Sequence, residues 1–156
     1  MIQRIQTLYL LLVTILMGTT LLFPIATFTI GNEEIAMTAF TFSSDKVGDF
    51  SYLSLSIGIA LILSALLPFI VIFLFKHRML QIRLCGIELA LLVGDIALMV
   101  ASYIIMGDAA AEIAPDSDSI MGFVVVMPVA SLILTVLAMR ATLRDELIVR
   151  SLDRIR

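Results

Sequence analysis

The chain has 156 residues, 61% of them hydrophobic and only 15% charged, with a net charge of −3. A soluble domain is about half apolar and a quarter charged, so this composition excludes an ordinary soluble core and points to a chain that crosses a membrane several times. The small net charge gives no footing for nucleic-acid binding, the single Cys85 excludes an intrachain disulfide, and a lone His77 without a Cys/His cluster argues against a structural zinc site.

The first segment, residues 5–28, is interrupted only by Thr14, Gly18, Thr19 and Thr20, with Pro24 near its far end. One arginine followed by an apolar run is the opening of a secretory signal. The run continues to Phe28 without a small-residue cleavage site, so a retained first helix is expected. From Ala26 the period changes. Ala26-Thr-Phe-Thr-Ile30 and Ile35-Ala-Met-Thr-Ala-Phe-Thr-Phe42 alternate apolar with Thr or small residues around Gly31-Asn32-Glu33-Glu34, which predicts a β-hairpin outside the membrane. Residues 43–50 read as a polar, acidic connector, with Ser51 as candidate N-cap of the next helix.

The second span, residues 52–75, contains Pro68, which removes one backbone hydrogen bond and crowds the Ser64 carbonyl, so a kink is expected. A short basic turn, Lys76 to Gln81, leads into the third span, 82–106. The stretch Gly107 to Ser119 is acidic and turn-rich, with Asp118 or Ser119 as candidate cap for the fourth span at 120–139. That span carries Pro128, Ser131 and Thr135. Spans of about 20–25 residues suffice to cross roughly 30 Å of hydrocarbon. The tail, 140–156, places Ile148, Leu152 and Ile155 on one helical face and Glu146, Arg150, Asp153 and Arg154 on the other. It reads as a surface helix finishing the fourth span or as a docking helix for a partner or anionic lipid.

Charge asymmetry orients the chain. Arg4, Lys76, Arg78, Arg83, Arg140, Arg144, Arg150, Arg154 and Arg156 fall on one side and only Lys46 on the other, which places both termini in the cytoplasm. The opposite side holds Glu33, Glu34, Asp45, Asp49, Asp108, Glu112, Asp116 and Asp118, read as a solvated acidic face.

The opening Met1-Ile-Gln-Arg-Ile-Gln-Thr-Leu-Tyr-Leu-Leu-Leu12, Pro24 with the Thr/Phe stretch after it, and the close Arg140-Ala-Thr-Leu-Arg-Asp-Glu-Leu-Ile-Val-Arg-Ser-Leu-Asp-Arg-Ile-Arg156 carry a resemblance. The chain resembles, over its whole length, a bacterial membrane family catalogued as domain of unknown function 4293. The resemblance implies a small four-span protein of the bacterial inner membrane and brings no catalytic, cofactor or ligand residues with it.

The third span carries the main functional signal. Gln81, Glu88, Asp95 and Ser102 are seven residues apart and return to nearly one helix face at about 100° per residue. The other side bears Gly86, Ala90, Ala97 and Ala101, with Gly94 at its edge. An ionisable side chain inside the bilayer costs on the order of 2.5–3.5 kcal/mol on insertion scales, so Glu88 and Asp95 need explaining. Asp95 is expected at the depth of Thr14, Ser64 and Ser131, and Glu88 about 10 Å nearer the cytoplasm, within reach of Tyr9, Arg83 or Arg140. Three readings stand: hydrogen-bonded residues that fix helix order, acids that pair with a partner subunit, or a proton- or cation-handling site. Gly86, Ala90 and Gly94 are candidate packing positions, with Ser54, Gly58, Ala60 and Ser64 as matching surfaces on the second span. Cys85 reads as a small packing residue and His77 as solvated.

These observations together predict an all-α membrane protein, a single domain forming a four-helix transmembrane bundle with a small β-hairpin in the first outer loop. The favoured role is a non-enzymatic accessory or scaffolding protein with no cofactor or metal. Its surroundings would be the lipid bilayer and a membrane-protein partner or second copy. The alternative is a small proton- or ion-coupled transporter whose polar site is Glu88, Asp95, Ser102, Ser64 and Ser131.

Overall fold

The computed structural model describes residues 3–30, 33–41, 51–74, 77–113 and 117–153. Four helices, α1 (Gln3–Leu22), α2 (Ser51–Phe73), α3 (Arg78–Ile113) and α4 (Val126–Asp153), form the bulk of the chain. All four are long and apolar enough to cross a membrane. A small antiparallel sheet of β1 (Ala26–Ile30), β2 (Glu33–Met37) and β3 (Asp118–Met121) closes one end, and a 3-10 turn, Phe123–Val125, leads into α4. The fold is a four-helix membrane bundle with a hairpin-based cap.

Each helix buries one seam, and all four seams have the same spacing. Gln6, Leu10, Val13, Met17 and Thr20 are buried on α1, and Ser54, Ile57, Leu61, Ser64 and Val71 on α2. On α3 the buried series is Gln81, Cys85, Glu88, Leu92, Asp95, Met99, Ser102 and Met106, and on α4 it is Ser131, Thr135, Ala138 and Thr142. Alternating steps of three and four are the heptad pattern of left-handed bundles. The distribution of polarity is reversed from a soluble bundle. Hydroxyls, amides and carboxyls face inward, while Leu, Ile, Val and Phe side chains cover the outside. In hydrocarbon an outward polar group finds no partner, so the polar residues collect where the helices meet. α1 and α3 each pack against both α2 and α4, so the helices follow one another around the bundle.

The span boundaries differ from the sequence expectation at several places: α3 starts at Arg78, inside the expected basic turn, α4 runs through the expected tail to Asp153, and three further differences have a local reason. α1 ends at Leu22, not Phe28, because Pro24 disfavours helix at the residue before it, and the Thr/Phe alternation then pairs as β1. α3 runs on through the expected turn region to Ile113, since Ala109 to Glu112 are good helix formers. At 36 residues it is about 54 Å long at 1.5 Å per residue, so it projects well beyond the hydrocarbon. Asp118 and Ser119, expected to cap α4, instead lie in β3, and α4 begins at Val126. α2 continues through Pro68 as one helix. The expected connector 43–50 and the Gly31-Asn32 turn lie outside the described residues, as do the side chains of the tail beyond Leu147.

The hairpin forms with Ala26 opposite Met37, Phe28 opposite Ile35 and Ile30 opposite Glu33. The sheet order is β2-β1-β3, so a segment between α3 and α4 pairs with the other edge of β1, Thr27 opposite Ile120. Backbone bonds extend this pairing: Ile25 N–H donates to Met37 O at 2.7 Å and Gly122 N–H to Ile25 O at 2.7 Å. A Cβ on Gly122 would lie 2.5 Å from Pro24 O and 2.8 Å from Ile25 O, so only glycine permits this approach. Ala26, Phe28 and Ile30 point into the core with Met37 and Met106. The Tyr103 hydroxyl of α3 donates to Ser119 O at 3.1 Å, which ties α3 to β3.

A candidate proton site on the bundle axis

The seven-residue stripe of α3 faces the bundle interior along its whole length, because it shares the inner face with Cys85, Leu92, Met99 and Met106. Its polar groups find three different environments at three depths.

At the end of the bundle near the α2–α3 turn, Gln81 is fully engaged. Gln6 Nε2 donates to Gln81 Oε1 at 3.1 Å, and Gln81 Nε2 donates to the Val71 carbonyl at 3.0 Å. The same carbonyl accepts Leu74 N–H at 3.1 Å, near the end of α2 where helix carbonyls lack their usual partners. One side chain thus joins α1, α2 and α3.

Asp95, two heptads along, is 1% exposed and accepts the Ser64 hydroxyl at 2.5 Å. Ser64 Oγ also lies 3.1 Å from the Ala60 carbonyl of its own helix, but it has one proton to give. The second oxygen of Asp95, Oδ1, has no hydrogen-bond partner. The expected depth match of Asp95 and Ser64 is a direct contact. Ser131 is also fully buried, and its Oγ is unbonded, whereas Thr135 and Thr14 turn their hydroxyls back to carbonyls of their own helices, Ser131 O at 2.8 Å and Leu10 O at 3.0 Å. Ser102 is buried farther toward the sheet.

Glu88 lies between these layers and is the unusual group. It is 1% exposed, and neither carboxyl oxygen has a hydrogen-bond partner. The expected contacts with Tyr9, Arg83 or Arg140 do not supply one. Tyr9 packs against the small cluster of Leu10, Val71, Cys85 and Ala138, and both arginines are exposed. Their charges go to water at the end of the bundle, the cheaper place for a guanidinium.

The small-residue face needs a correction. Gly86 and Ala90 lie on the outside of the bundle, and a Cβ added at Gly86 or Gly94 would meet nothing within 4 Å. The polar stripe takes the interior, so the opposite face turns to lipid, and the expected close packing of Gly86, Ala90 and Gly94 within the bundle does not occur. The close glycine contact is elsewhere: at Gly58 of α2 a Cβ would lie 2.6 Å from Ala39 O. Sequence reasoning missed Gln6 and Thr142 as interior polar groups, and their signal was present, since each continues its own helix's three–four apolar series.

The family model described as Domain of unknown function (DUF4293) matches residues 2–155, nearly the whole chain. The chain belongs to this family. No curated protein matches it. In this DUF4293 protein the interior therefore holds two kinds of acid: one bonded to a neighbouring helix, and one buried with no donor.

Proposed function

We propose that this DUF4293 protein is a small, non-enzymatic integral membrane protein that takes up and releases a proton inside its bundle at Glu88, as proton-linked transporters do. The observation that supports this most is the environment of Glu88: buried and, among the described residues, without a counter-charge or a hydrogen bond. An acid kept only to fix helix order would be bonded, as Asp95 is to Ser64. A bare carboxylate at Glu88 forgoes every compensation that ordinarily offsets burying a charge, and a proton removes the charge. Glu88 and Asp95 are seven residues apart, about 10 Å along the helix, a spacing that favours a proton on each acid over one small cation shared between them. Asp95, Ser64 and Ser131 extend the polar site along the axis. The basic residues favour an orientation with both termini in the cytoplasm.

The test is infrared difference spectroscopy of the protein in lipid nanodiscs across a pH step. A carboxyl band that rises and falls with pH and disappears in Glu88→Gln supports the assignment. Wild-type protein without such a band overturns it.

A second reading, an accessory or scaffolding subunit, is favoured by the outward face of α3. Gly86, Ala90 and Gly94 leave open space for the backbone of another membrane helix. The two readings are compatible, since one uses the inside of α3 and the other the outside.

A further inference from the structure

Building on the assignment of Glu88 as the proton-binding group, we infer that protons reach it from the bundle end that carries the α2–α3 turn, through a gate formed by Gln6 and Gln81, while the sheet end is sealed. The two directions out of the site are built differently. Toward the turn, Cys85 is the next inward residue of α3, followed by Gln81 with its bonds to Gln6 and to the Val71 carbonyl. The fully buried apolar groups of that cluster are Leu10, Val71 and Ala138 beside Cys85, with Tyr9, Leu67, Ile72, Leu84 and Met139 packed around them. From Glu88 to Gln81 is seven residues, about 10 Å. Toward the sheet, the path beyond Asp95 is filled by Met17, Leu61, Met99 and Met106 and then by Phe28 and Met37 of the cap.

The ends also differ in how they are held. The sheet joins both outer loops by backbone hydrogen bonds on either side of β1, with Gly122 in direct backbone contact with Ile25. At the other end, the described cross-helix ties of the stripe are the two side-chain bonds of Gln81. Local opening is favoured where fewer bonds break together, and among the described residues the stripe has two cross-helix side-chain bonds at the glutamine end against the paired backbone of the sheet end. When the Gln6–Gln81 bond opens, water can enter and hydrate the released amides. A hydronium ion at the gate then passes its proton along the entering waters, each giving one proton on and taking one up, until the last gives it to the Glu88 carboxylate; the products are water and a neutral carboxyl, and release reverses the sequence. Amides do not titrate in this range, so the two glutamines position water without holding the proton.

Few charged groups face Glu88. Asp95 and Cys85 share its helix face, and Tyr9 of α1 packs against the Cys85 cluster. α2 and α4 turn hydroxyls inward at Ser64, Ser131 and Thr135.

The test follows the rate of the Glu88 carboxyl band after a pH jump, using full-length protein in nanodiscs. Gln6→Leu with Gln81→Leu should slow it about tenfold, as loss of one hydrogen-bonded step along the path implies. Cys85→Leu should also slow it, whereas Cys85→Ser, which keeps size and adds polarity, should leave it equal or faster. Ser54→Ala and Met106→Leu, in the sheet half, should stay within about twofold of wild type, a barrier change too small to mark the path. Slowing by the sheet-half variants, or unchanged rates in both the glutamine and Cys85→Leu variants, would overturn the gate while the assignment of Glu88 stood. Absence of any Glu88-dependent band in wild type would remove both.

Discussion

Glu88 and Asp95 stand on one helix face in the same kind of burial, and a single serine hydroxyl separates their circumstances. Removing that hydroxyl in Ser64→Ala leaves a buried carboxyl without its donor, and the expected cost is about 1–3 kcal/mol, read from unfolding equilibria in detergent micelles. Glu88→Leu should do the reverse. It exchanges an unbonded buried acid for an apolar group of similar size, so stability should be unchanged or higher while the carboxyl signal is lost. A clear loss of stability in Glu88→Leu would show that the acid has a structural partner after all. The stripe itself was legible in the sequence, because a seven-residue repeat of polar groups in an apolar run has one geometric meaning. Its partners were not. Which residues of α1, α2 and α4 share a depth with Glu88 depends on helix rotation and tilt, and the long side chains of Arg83 and Arg140 could point either way along the axis until the surrounding water was placed.

The helices themselves were readable from length and hydropathy, and the β1–β2 hairpin from its alternation around a Gly-Asn turn. β3 was hidden, since Asp118–Met121 has the composition of a loop and is a strand only because β1 offers it an edge. The orientation of α3 was also misjudged. Small residues suggest close packing, but two faces of one helix competed for the interior, and burying two acids outweighs burying two glycines. Glycine substitutions separate these environments. Gly122→Ala and Gly58→Ala place a methyl against fixed backbone oxygens and should each cost about 1–3 kcal/mol. Gly86→Ala and Gly94→Ala meet open space and should be neutral or stabilising by up to about 1 kcal/mol through helix propensity. If Gly86→Leu instead dissolves a complex seen by crosslinking in native membranes, the outer face of α3 is covered by a partner there.

For the molecule as a whole, two measurements set direction and transport. Cysteines placed at the exposed positions Asp118 and Arg144 should react with an impermeant maleimide from opposite sides, Asp118→Cys from outside and Arg144→Cys only after the membrane is opened. Cys85 is buried and should stay silent. The reverse pattern would invert the topology inferred from the basic residues. In proteoliposomes carrying a pH gradient, wild-type protein should dissipate it and Glu88→Gln should not; equal leak from both would exclude the transport role while leaving proton binding untouched. The shape of the cap has a further consequence, for biogenesis. β1 lies between strands contributed by two different interhelix connections, and its second edge is filled by residues 118–121. The β1–β2 hairpin is local in sequence, but its other edge must wait until α3 is in place and the chain has returned, so the nascent protein carries an unpaired strand edge until its third span has inserted.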